Sequence, residues 1–324
     1  MQIYDVIIIG AGPAGIACGI SAKQAQLNYL ILEKGYLVNS IYNFPNNMTF
    51  FSTSQNLEIG DTPFISHTDK PTRREALEYY RRIASSYELN IQYQQELRSA
   101  DKTEEYYTLE TKDGSQFKCK YLVVATGYYD NPRLLDVKGE DLPKVKHYYD
   151  DAHPYIGRDV LVIGAANSAC DVALETWQKG ARVSMAVRDS ELYKKVKYWI
   201  LPNIQNRIEE GSIKAYFNTQ VEEIKEDSVI LNTPEGSIEI KNDYVLAMTG
   251  YKPDYNFLEK LGIEFDDTDA HKPKLDPETL ESTRDGLYVA GVIVAGLNTS
   301  ELFIENTRHH GDAIMKSISS RIRG

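Results

Sequence analysis

The stretch Asp5-Val6-Ile7-Ile8-Ile9-Gly10-Ala11-Gly12-Pro13-Ala14-Gly15 decides the fold of this chain. A short apolar run bounded by glycines is typical of a parallel strand that is covered on both faces. In such a strand-turn-helix fingerprint Gly10 permits the tight turn, Gly12 lets the backbone approach a pyrophosphate, and Gly15 lets the helix pack against the strand. The helix N-terminus then binds the phosphates through its N–H groups and its dipole. We therefore predict a dinucleotide site at this turn.

The residues that follow agree with this prediction. Ile16 to Ala25 is expected to be a helix and Tyr29 to Leu32 a second strand. Glu33 then stands where a carboxylate accepts hydrogen bonds from ribose hydroxyls.

The fingerprint occurs a second time, 154 residues further along the chain. Asp159-Val160-Leu161-Val162-Ile163-Gly164-Ala165-Ala166-Asn167-Ser168-Ala169 matches the first copy position by position, with Ala166 and Ala169 in place of its second and third glycines. A repeat of this size predicts two nucleotide-binding modules, because solenoid repeats are only about 20–50 residues long.

The strands that follow the two fingerprints end differently. The first ends in Glu33, whereas Ala181 to Val187 ends in Arg188, with Lys194 close behind. A carboxylate suits a free ribose and an arginine suits a 2′-phosphate. We therefore assign FAD to the first module and NADPH to the second. The alternative interpretation of Arg188 is a solvated charge at the end of a strand.

Composition narrows the classes of function. The 324 residues carry a net charge of −11, which argues against nucleic acid and anionic membranes as partners. The Met1-Gln2-Ile3 start leads directly into the first strand, so we expect no signal peptide, no spanning helix and a cytoplasmic location. The three cysteines are too few and too scattered for a disulfide framework or a zinc site, and no metal is expected.

The rest of the first module is predicted in chain order. Lys34 to Pro63 is a long loop rich in aromatic residues, expected either to contact the flavin ring or to cover the sheet edge. Pro71 to Leu89 has helical spacing. A β-meander is predicted from three short strands and a turn, at Ile91 to Leu97, Tyr106 to Thr111, Asp113-Gly114 and Gln116 to Lys120.

Two similar segments mark the crossings between modules. Leu122 to Tyr128 is a buried strand that ends in small residues, and Leu246 to Tyr251 repeats it after the second module. We predict an FAD domain in two parts, residues 1–125 and 248–324, around an NADPH domain of residues 126–247. Gly286 to Val292 is expected to be the last strand and turn of the FAD domain, followed by a helix that runs to about Ile318.

With both fingerprints, both crossings and this terminus in view, the chain resembles the low-molecular-weight thioredoxin reductase superfamily. The resemblance implies an α/β fold of two Rossmann-like domains with a β-meander. Thioredoxin reductases carry Cys-x-x-Cys between the first crossing and the second fingerprint, but this interval reads His147-Tyr148-Tyr149-Asp150-Asp151-Ala152-His153. Without paired thiols no internal disulfide can receive the electrons.

More narrowly, the chain resembles the bacillithiol-disulfide reductase family. The segments that carry this resemblance are Ser40 to Pro45, Thr49 to Ser52, Ile59 to Asp61, Ala125 to Tyr129, Asp141 to Val145, Trp199 to Asn203, Gly250 to Tyr255 and Ala290 to Ile293. It implies FAD, NADPH, a small-molecule disulfide substrate and a homodimer. Two positions depart from relatives: Ala14 stands where members often have cysteine, and Val292 where an aspartate commonly bonds the flavin ribityl chain.

The fingerprints and the resemblance together predict the cofactor-binding residues. They are Gly10, Gly12, Pro13, Ala14, Gly15, Glu33, Lys34, Ser40, Leu97, Ala125, Thr126, Gly127, Gly164, Asn167, Ser168, Arg188, Lys194, Gly291, Val292 and Ile304.

The predicted mechanism is hydride transfer from NADPH to flavin and then direct reduction of a disulfide by the reduced flavin. Cys18, Cys119 and Cys170 are interpreted as packing residues. No residue is assigned as catalytic, although His147 and His310 are weak candidates for a proton donor.

Three alternatives remain at this stage. A flavin monooxygenase would share both fingerprints. A thioredoxin-reductase-like ferredoxin–NADP reductase would also lack Cys-x-x-Cys, but usually has a C-terminal extension that stacks on the flavin, and no aromatic residue follows Phe303 here. A flavoprotein that only senses NADPH would show flavin reduction without an efficient acceptor.

Overall fold

The computed structural model describes residues 2–323, which divide into two compact units. Unit 1 contains the described residues of Met1–Asn43, Met48–Asn131 and Tyr251–Gly324, and unit 2 contains Phe44–Asn47 and Pro132–Gly250. The assignment of FAD and NADPH domains to these units stays a prediction.

The secondary structure alternates strands and helices. The strands are β1 Ile3–Ile9, β2 Tyr29–Glu33, β3 Ile91–Tyr93, β4 Leu97–Lys102, β5 Tyr107–Thr111, β6 Gln116–Val124, β7 Val145–Lys146, β8 Asp159–Ile163, β9 Arg182–Ala186, β10 Lys214–Tyr216, β11 Gln220–Ile224, β12 Ser228–Thr233, β13 Gly236–Lys241, β14 Tyr244–Ala247 and β15 Leu287–Val289. The α-helices are α1 Pro13–Gln24, α2 Asn39–Tyr42, α3 Arg73–Ser86, α4 Asn167–Gln178, α5 Leu201–Glu209, α6 Tyr255–Lys260, α7 Ile304–Thr307 and α8 His310–Arg323.

Unit 1 is built on a seven-stranded sheet of order β3-β2-β1-β6-β5-β4, in which β15 also pairs with β6. Strands β1, β2, β3, β6 and β15 are mutually parallel, and β4 and β5 are the antiparallel meander. The side chains from Val6 to Ile8 on β1 and from Leu30 to Leu32 on β2 are fully buried on both faces of the sheet, as the continuous apolar runs predict. The α/β fold with a meander is therefore confirmed.

The predicted strand from Ile91 to Leu97 is wrong, because two strands occupy this stretch. β3 pairs in parallel with β2, whereas β4 begins the meander at Leu97 and pairs with β5. Between them Gln94 takes a left-handed φ of 58°, which turns the backbone out of the extended conformation. Conversely, the two predicted strands around Lys120 are one strand, β6, whose first half pairs with β5 and whose second half pairs with β15.

The long loop after β2 is ordered by contacts with α3 and with the segment before α8. The Tyr79 hydroxyl accepts a hydrogen bond from the N–H of Ile59 at 2.9 Å and is 2.8 Å from the carbonyl of Thr62. The Arg308 guanidinium donates to the carbonyls of Gln55 and Glu58 at 2.9 and 3.1 Å. These contacts hold the part of the loop from Gln55 to Thr62 within unit 1.

Helices α1 and α8 cross with their backbones in close contact at Gly311. A Cβ atom on Gly311 would lie 2.8 Å from the carbonyl oxygen of Ala17 and 2.9 Å from the Cα of Cys18. Only a residue without a side chain fits there, and the first turn of α8 is thereby fixed against α1, the fingerprint helix.

We expect Gly311→Ala to lower the free energy of unfolding by about 1–3 kcal/mol, because backbone atoms would have to move to admit the methyl group. Alanine is favoured over glycine inside a helix by about 1 kcal/mol. Without the steric clash, the same substitution would therefore stabilise the protein. Urea unfolding measures the difference, and Ser320→Ala on an exposed turn of α8 is the control. A Gly311→Ala protein as stable as the control would contradict this packing.

Unit 2 contains a five-stranded parallel sheet of order β10-β9-β8-β14-β7 and a separate antiparallel sheet of order β11-β12-β13. The strand predicted at Ala181 to Val187 corresponds to β9, and the second fingerprint forms β8, its turn and α4. The three-stranded sheet was not predicted, because its short strands lack an extended apolar run.

Candidate cofactor sites

The first fingerprint turn has the backbone geometry that requires glycine. Gly10 has a φ of +107°, and a Cβ atom there would lie 2.6 Å from the carbonyl oxygen of Ala125. A Cβ atom on Gly15 would lie 1.9 Å from the carbonyl oxygen of Gly10. The end of β6 and the first turn of α1 therefore both pack directly on this turn.

Gly12 differs from Gly10 and Gly15, because the space that a side chain would occupy there is empty. Its φ of −74° suits any residue, and no atom lies within 4 Å of the place where its Cβ would be. Gly12 is also the N-cap of α1, and no side chain caps the helix. The first-turn N–H groups of a twelve-residue helix thus face an open space, which fits a bound pyrophosphate.

Glu33 is buried at the end of β2, with 5% of its surface exposed. One carboxylate oxygen accepts a hydrogen bond from the Ala11 N–H and the other from the Gly35 N–H, each at 2.7 Å. Burial raises the pKa of the Glu33 carboxyl, and the two N–H donors oppose that rise. The carboxylate is therefore held against the fingerprint turn, with lone pairs left for ribose hydroxyls.

The other predicted residues of unit 1 lie at different distances from the turn. The N–H of Val38 donates to the Ala11 carbonyl at 2.9 Å, which places α2, and with it Ser40, beside the turn. A Cβ atom on Gly291 would lie 3.0 Å from the Cβ of Ala14, so the turn after β15 touches α1. Leu97, by contrast, is buried in the hydrophobic core of the unit.

One residue outside the predicted set contacts a residue within it. Lys34 forms an ion pair with Asp130 at 2.8 Å, a partner that sequence spacing does not indicate.

The remaining predicted residues lie on turns and at helix starts. Thr126 and Gly127 follow β6 as predicted, and no atom lies within 4 Å of a Cβ placed on Gly127. Val292 begins a 3₁₀ turn and Ile304 begins α7.

The second fingerprint turn repeats the geometry of the first inside unit 2. Gly164 has a φ of +132°, and a Cβ atom there would lie 2.6 Å from the carbonyl oxygen of Met248. Met248 thus has the place that Ala125 has in unit 1. Ala166 is the N-cap of α4, again without a side-chain cap. This turn therefore also fits a dinucleotide phosphate.

The segment after β9 folds back onto this second turn. The N–H of Tyr193 donates to the Ala165 carbonyl at 3.0 Å, and the N–H of Lys197 donates to the Asn167 side chain at 2.8 Å. The Lys197 ammonium pairs with Asp171 on α4 at 2.8 Å and is almost buried. Lys197 therefore holds the segment to α4. Sequence reasoning missed this contact because its partners are 26 to 30 residues apart.

Arg188 and Lys194 remain at the surface of unit 2. The Arg188 side chain is 77% exposed and lies 3.7 Å from Asp189, and Lys194 pairs with Glu191 at 2.9 Å. Their predicted contact with a 2′-phosphate stays a prediction.

The two histidine candidates lie in different units. His147, in unit 2, has its Nε2 atom 3.4 Å from Glu140, whose carboxylate also accepts the N–H groups of Leu135 and Asp136. That arrangement supports a role in holding the turn at Glu140. His310, in unit 1, accepts a hydrogen bond from the Gly291 N–H on its Nδ1 atom at 3.1 Å.

The three cysteines are buried and none forms a disulfide. Burial raises the pKa of the Cys18 and Cys170 thiols to about 12, and it raises the pKa of the Cys119 thiol as well. Thiols of this kind are poor nucleophiles because so little thiolate is present.

We expect the native protein to show no rapid reaction with a thiol reagent at pH 8. A pKa near 12 instead of 9.0 reduces the thiolate fraction of Cys18 about a thousandfold. Titration with Ellman's reagent should count three thiols only after unfolding in guanidinium chloride. A Ser320→Cys variant, with its thiol on an exposed turn, is the fast-reacting control. A native thiol that reacts as fast as this control would show a reactive cysteine.

Within residues 2–323 no group of three or more His, Cys, Asp or Glu side chains could hold a metal ion. In the same range no helix has both the length and the apolar character needed to cross a membrane.

The family described as pyridine nucleotide-disulphide oxidoreductase matches residues 7–291, which span both fingerprint turns. This chain belongs to the pyridine nucleotide-disulphide oxidoreductase family. Membership implies a flavin and a nicotinamide cofactor, in accordance with two fingerprint turns whose helices have no side-chain cap.

Individual relatives indicate a smaller group within this family. Bacilliredoxin reductase Bdr from Bacillus subtilis strain 168 is 44% identical over 317 residues, which are 97% of each chain. The solved structure of bacillithiol disulfide reductase Bdr (YpdA) from Bacillus cereus is 44% identical, covers 99% of this chain and 100% of its own, and superposes with a TM-score of 0.96. The resemblance to bacillithiol-disulfide reductases is thus confirmed, and the chain is a flavin-dependent disulfide reductase.

The thioredoxin reductase of T. acidophilum shares the fold. It is 21% identical, covers 100% of both chains and has a TM-score of 0.78. The predicted thioredoxin reductase architecture is therefore confirmed.

Proposed function

We propose that this chain uses FAD and NADPH to reduce the disulfide of a low-molecular-weight thiol, with bacillithiol disulfide as the substrate. The observation that carries this proposal is the 44% identity over nearly the full length to relatives named as bacillithiol disulfide or bacilliredoxin reductases. FAD is supported by Glu33 at the first turn and NADPH by Arg188 after the second. A homodimer and a cytoplasmic location stay predictions of the sequence.

In this reaction the cofactors carry the electrons. When bound, NADPH supplies a hydride and FAD passes two electrons to the disulfide, so that with one further proton the products are NADP⁺ and two thiols. The protein binds the two diphosphates at the N-termini of α1 and α4, neither of which has a side-chain cap. Glu33, fixed by the N–H groups of Ala11 and Gly35, orients the FAD ribose.

A mixed disulfide with the protein has no place in this proposal. Ala14 has no sulfur, and the thiols of Cys18, Cys119 and Cys170 are buried, with raised pKa values. The substrate disulfide must then receive its electrons from the flavin itself. The same argument predicts that reduction of the protein stops at two electrons per FAD.

The test is anaerobic. The bound flavin is reduced with one equivalent of NADPH and mixed with bacillithiol disulfide, and the absorbance of oxidised flavin is followed. Return of this absorbance on the timescale of turnover supports the proposal. A flavin that stays reduced with the disulfide, yet is quickly reoxidised by ferredoxin or oxygen, contradicts it.

A second acceptor belongs in the same experiment, because the B. subtilis relative is named as a reductase of bacilliredoxin. Reduced enzyme is mixed with a bacilliredoxin that carries a bacillithiol mixed disulfide. If the bacilliredoxin reoxidises the flavin and bacillithiol disulfide does not, the acceptor is a protein disulfide and bacillithiol disulfide is not the substrate. If both do, the ratio of the two rate constants identifies the preferred acceptor.

A further inference from the structure

The turn after β15 has an apolar residue, Val292, directly after its glycine. Gly291 is buried and has a left-handed φ of 85°, and its Cβ position lies 3.0 Å from the Cβ of Ala14 on the fingerprint helix. The next residue, Val292, has no hydrogen-bonding side chain. A polar contact from this turn to FAD therefore has to come from another residue.

His310 is the polar side chain that the fold brings to this turn. Its Nδ1 atom accepts the hydrogen bond of the Gly291 N–H at 3.1 Å. Because Nδ1 is the acceptor, a neutral ring carries its one proton on Nε2. Burial and then the neighbouring His309 lower the pKa of the His310 imidazole to about 4, so the ring is neutral at pH 7.

The far side of the ring is a donor that the protein itself does not use. Among residues 2–323 the hydrogen bond from Gly291 is the one that His310 makes through its ring, and Nε2 is not among the fully enclosed polar atoms. The ring is about half-buried. Its Nε2–H group is thus not fully enclosed by the protein.

The position of His310 is rigid. It is the first residue of α8, and the next residue, Gly311, is the point where α8 touches the backbone of α1. The backbone at His310 is therefore fixed against α1, the helix that carries Ala14 and the open N-terminus.

We propose that His310 is a positioning residue for FAD, in which Nδ1 holds the Gly291 turn and Nε2–H donates a hydrogen bond to an oxygen of the bound cofactor, in place of the side-chain contact that Val292 cannot make. This inference rests on the FAD of the proposed function and does not depend on the disulfide substrate.

Two substitutions separate the two ring nitrogens. His310→Asn keeps an acceptor near the place of Nδ1 but loses the far donor, whereas His310→Gln keeps a donor near the place of Nε2. The readouts are made on the holoprotein: FAD released on dilution, measured by its fluorescence, and the flavin midpoint potential against a reference dye. His67→Asn, on an exposed loop, is the control.

The Asn variant is expected to bind FAD about threefold to tenfold more weakly, as for the loss of one neutral hydrogen bond, and to show a more negative midpoint potential. The Gln variant should bind FAD within about twofold of the wild type. Urea unfolding of the Asn variant checks that the Gly291 turn is kept.

An Asn variant with the affinity and potential of the wild type would overturn the proposal, and so would a Gln variant that loses as much FAD as the Asn variant. The FAD affinity and the midpoint potential are measured without an electron acceptor, so they do not depend on which disulfide is the substrate. If bacillithiol disulfide fails to reoxidise the wild-type flavin while the Asn variant still loses FAD, the proposed substrate fails and the role of His310 stands.

Discussion

A Gly12→Val protein is expected to fold and to bind FAD about a hundredfold more weakly than the wild type, a loss near the upper end of the 1–3 kcal/mol that overpacking costs. The φ of −74° and ψ of 176° at this position are open to valine, and no protein atom lies near its Cβ. The added side chain extends into the open space at the N-terminus of α1, where the pyrophosphate is expected. The cost therefore falls on cofactor binding, while folding loses only about 1 kcal/mol at the N-cap.

The matched variant is Gly15→Ala, which adds a smaller side chain three residues away. Its Cβ would lie 1.9 Å from the carbonyl oxygen of Gly10, a backbone atom that cannot move unless the tight turn opens. We expect a loss of about 3 kcal/mol or more in the free energy of unfolding.

Urea unfolding and the ratio of flavin to protein absorbance test the two variants together. The expected pattern is a stable protein that loses much of its flavin on dilution for Gly12→Val and an unstable protein for Gly15→Ala. If the Gly12→Val protein retained a full complement of FAD, the phosphate site would have to lie elsewhere. If the Gly15→Ala protein were as stable as the wild type, the close packing of α1 on the Gly10 turn would be refuted.

Arg188→Ala is expected to raise KM for NADPH tenfold to a hundredfold and to leave KM for NADH nearly unchanged. A hydrogen bond between charged groups contributes about 1.5–3 kcal/mol, and only NADPH has the 2′-phosphate that would accept one. The Arg188 side chain is 77% exposed and only weakly paired with Asp189, so it can turn toward a ligand at little cost.

The control for this prediction is Lys179→Ala, which removes a cation at the C-cap of α4, the end of the helix opposite the phosphate turn. Steady-state rates with both nucleotides over a range of ionic strength give the comparison. Since the site is exposed, the preference for NADPH should weaken as salt is added. Equal losses for NADPH and NADH in Arg188→Ala would instead indicate that Arg188 is a solvated charge at the end of its strand.

The two fingerprint turns could be predicted from the sequence because their requirements are local. Gly10 and Gly164 need positive φ angles, and Glu33 is the last residue of its strand, so spacing alone predicts the strand, the turn and the helix. The long apolar runs predict burial on both faces of a sheet for the same reason. The family resemblance rests on such local segments.

The short strands could not be predicted in the same way. Residues Ile91–Tyr93 and Leu97–Lys102 have similar local patterns but belong to opposite edges of one sheet, because the first pairs with β2 and the second with β5. A short segment pairs with whichever strand still has backbone N–H and C=O groups without hydrogen-bond partners. Which strand that is depends on how the rest of the sheet is assembled.

The sequence by itself thus determined the two fingerprint turns, the acid and the arginine that follow them, the missing Cys-x-x-Cys and the alanine at position 14. Only the tertiary structure decided which side chains support these turns: Lys197 on Asn167 and Asp171, and His310 on Gly291. The physical reason is that backbone conformation depends on nearest neighbours in the chain, whereas hydrogen-bond partners depend on which distant segments the packing brings together.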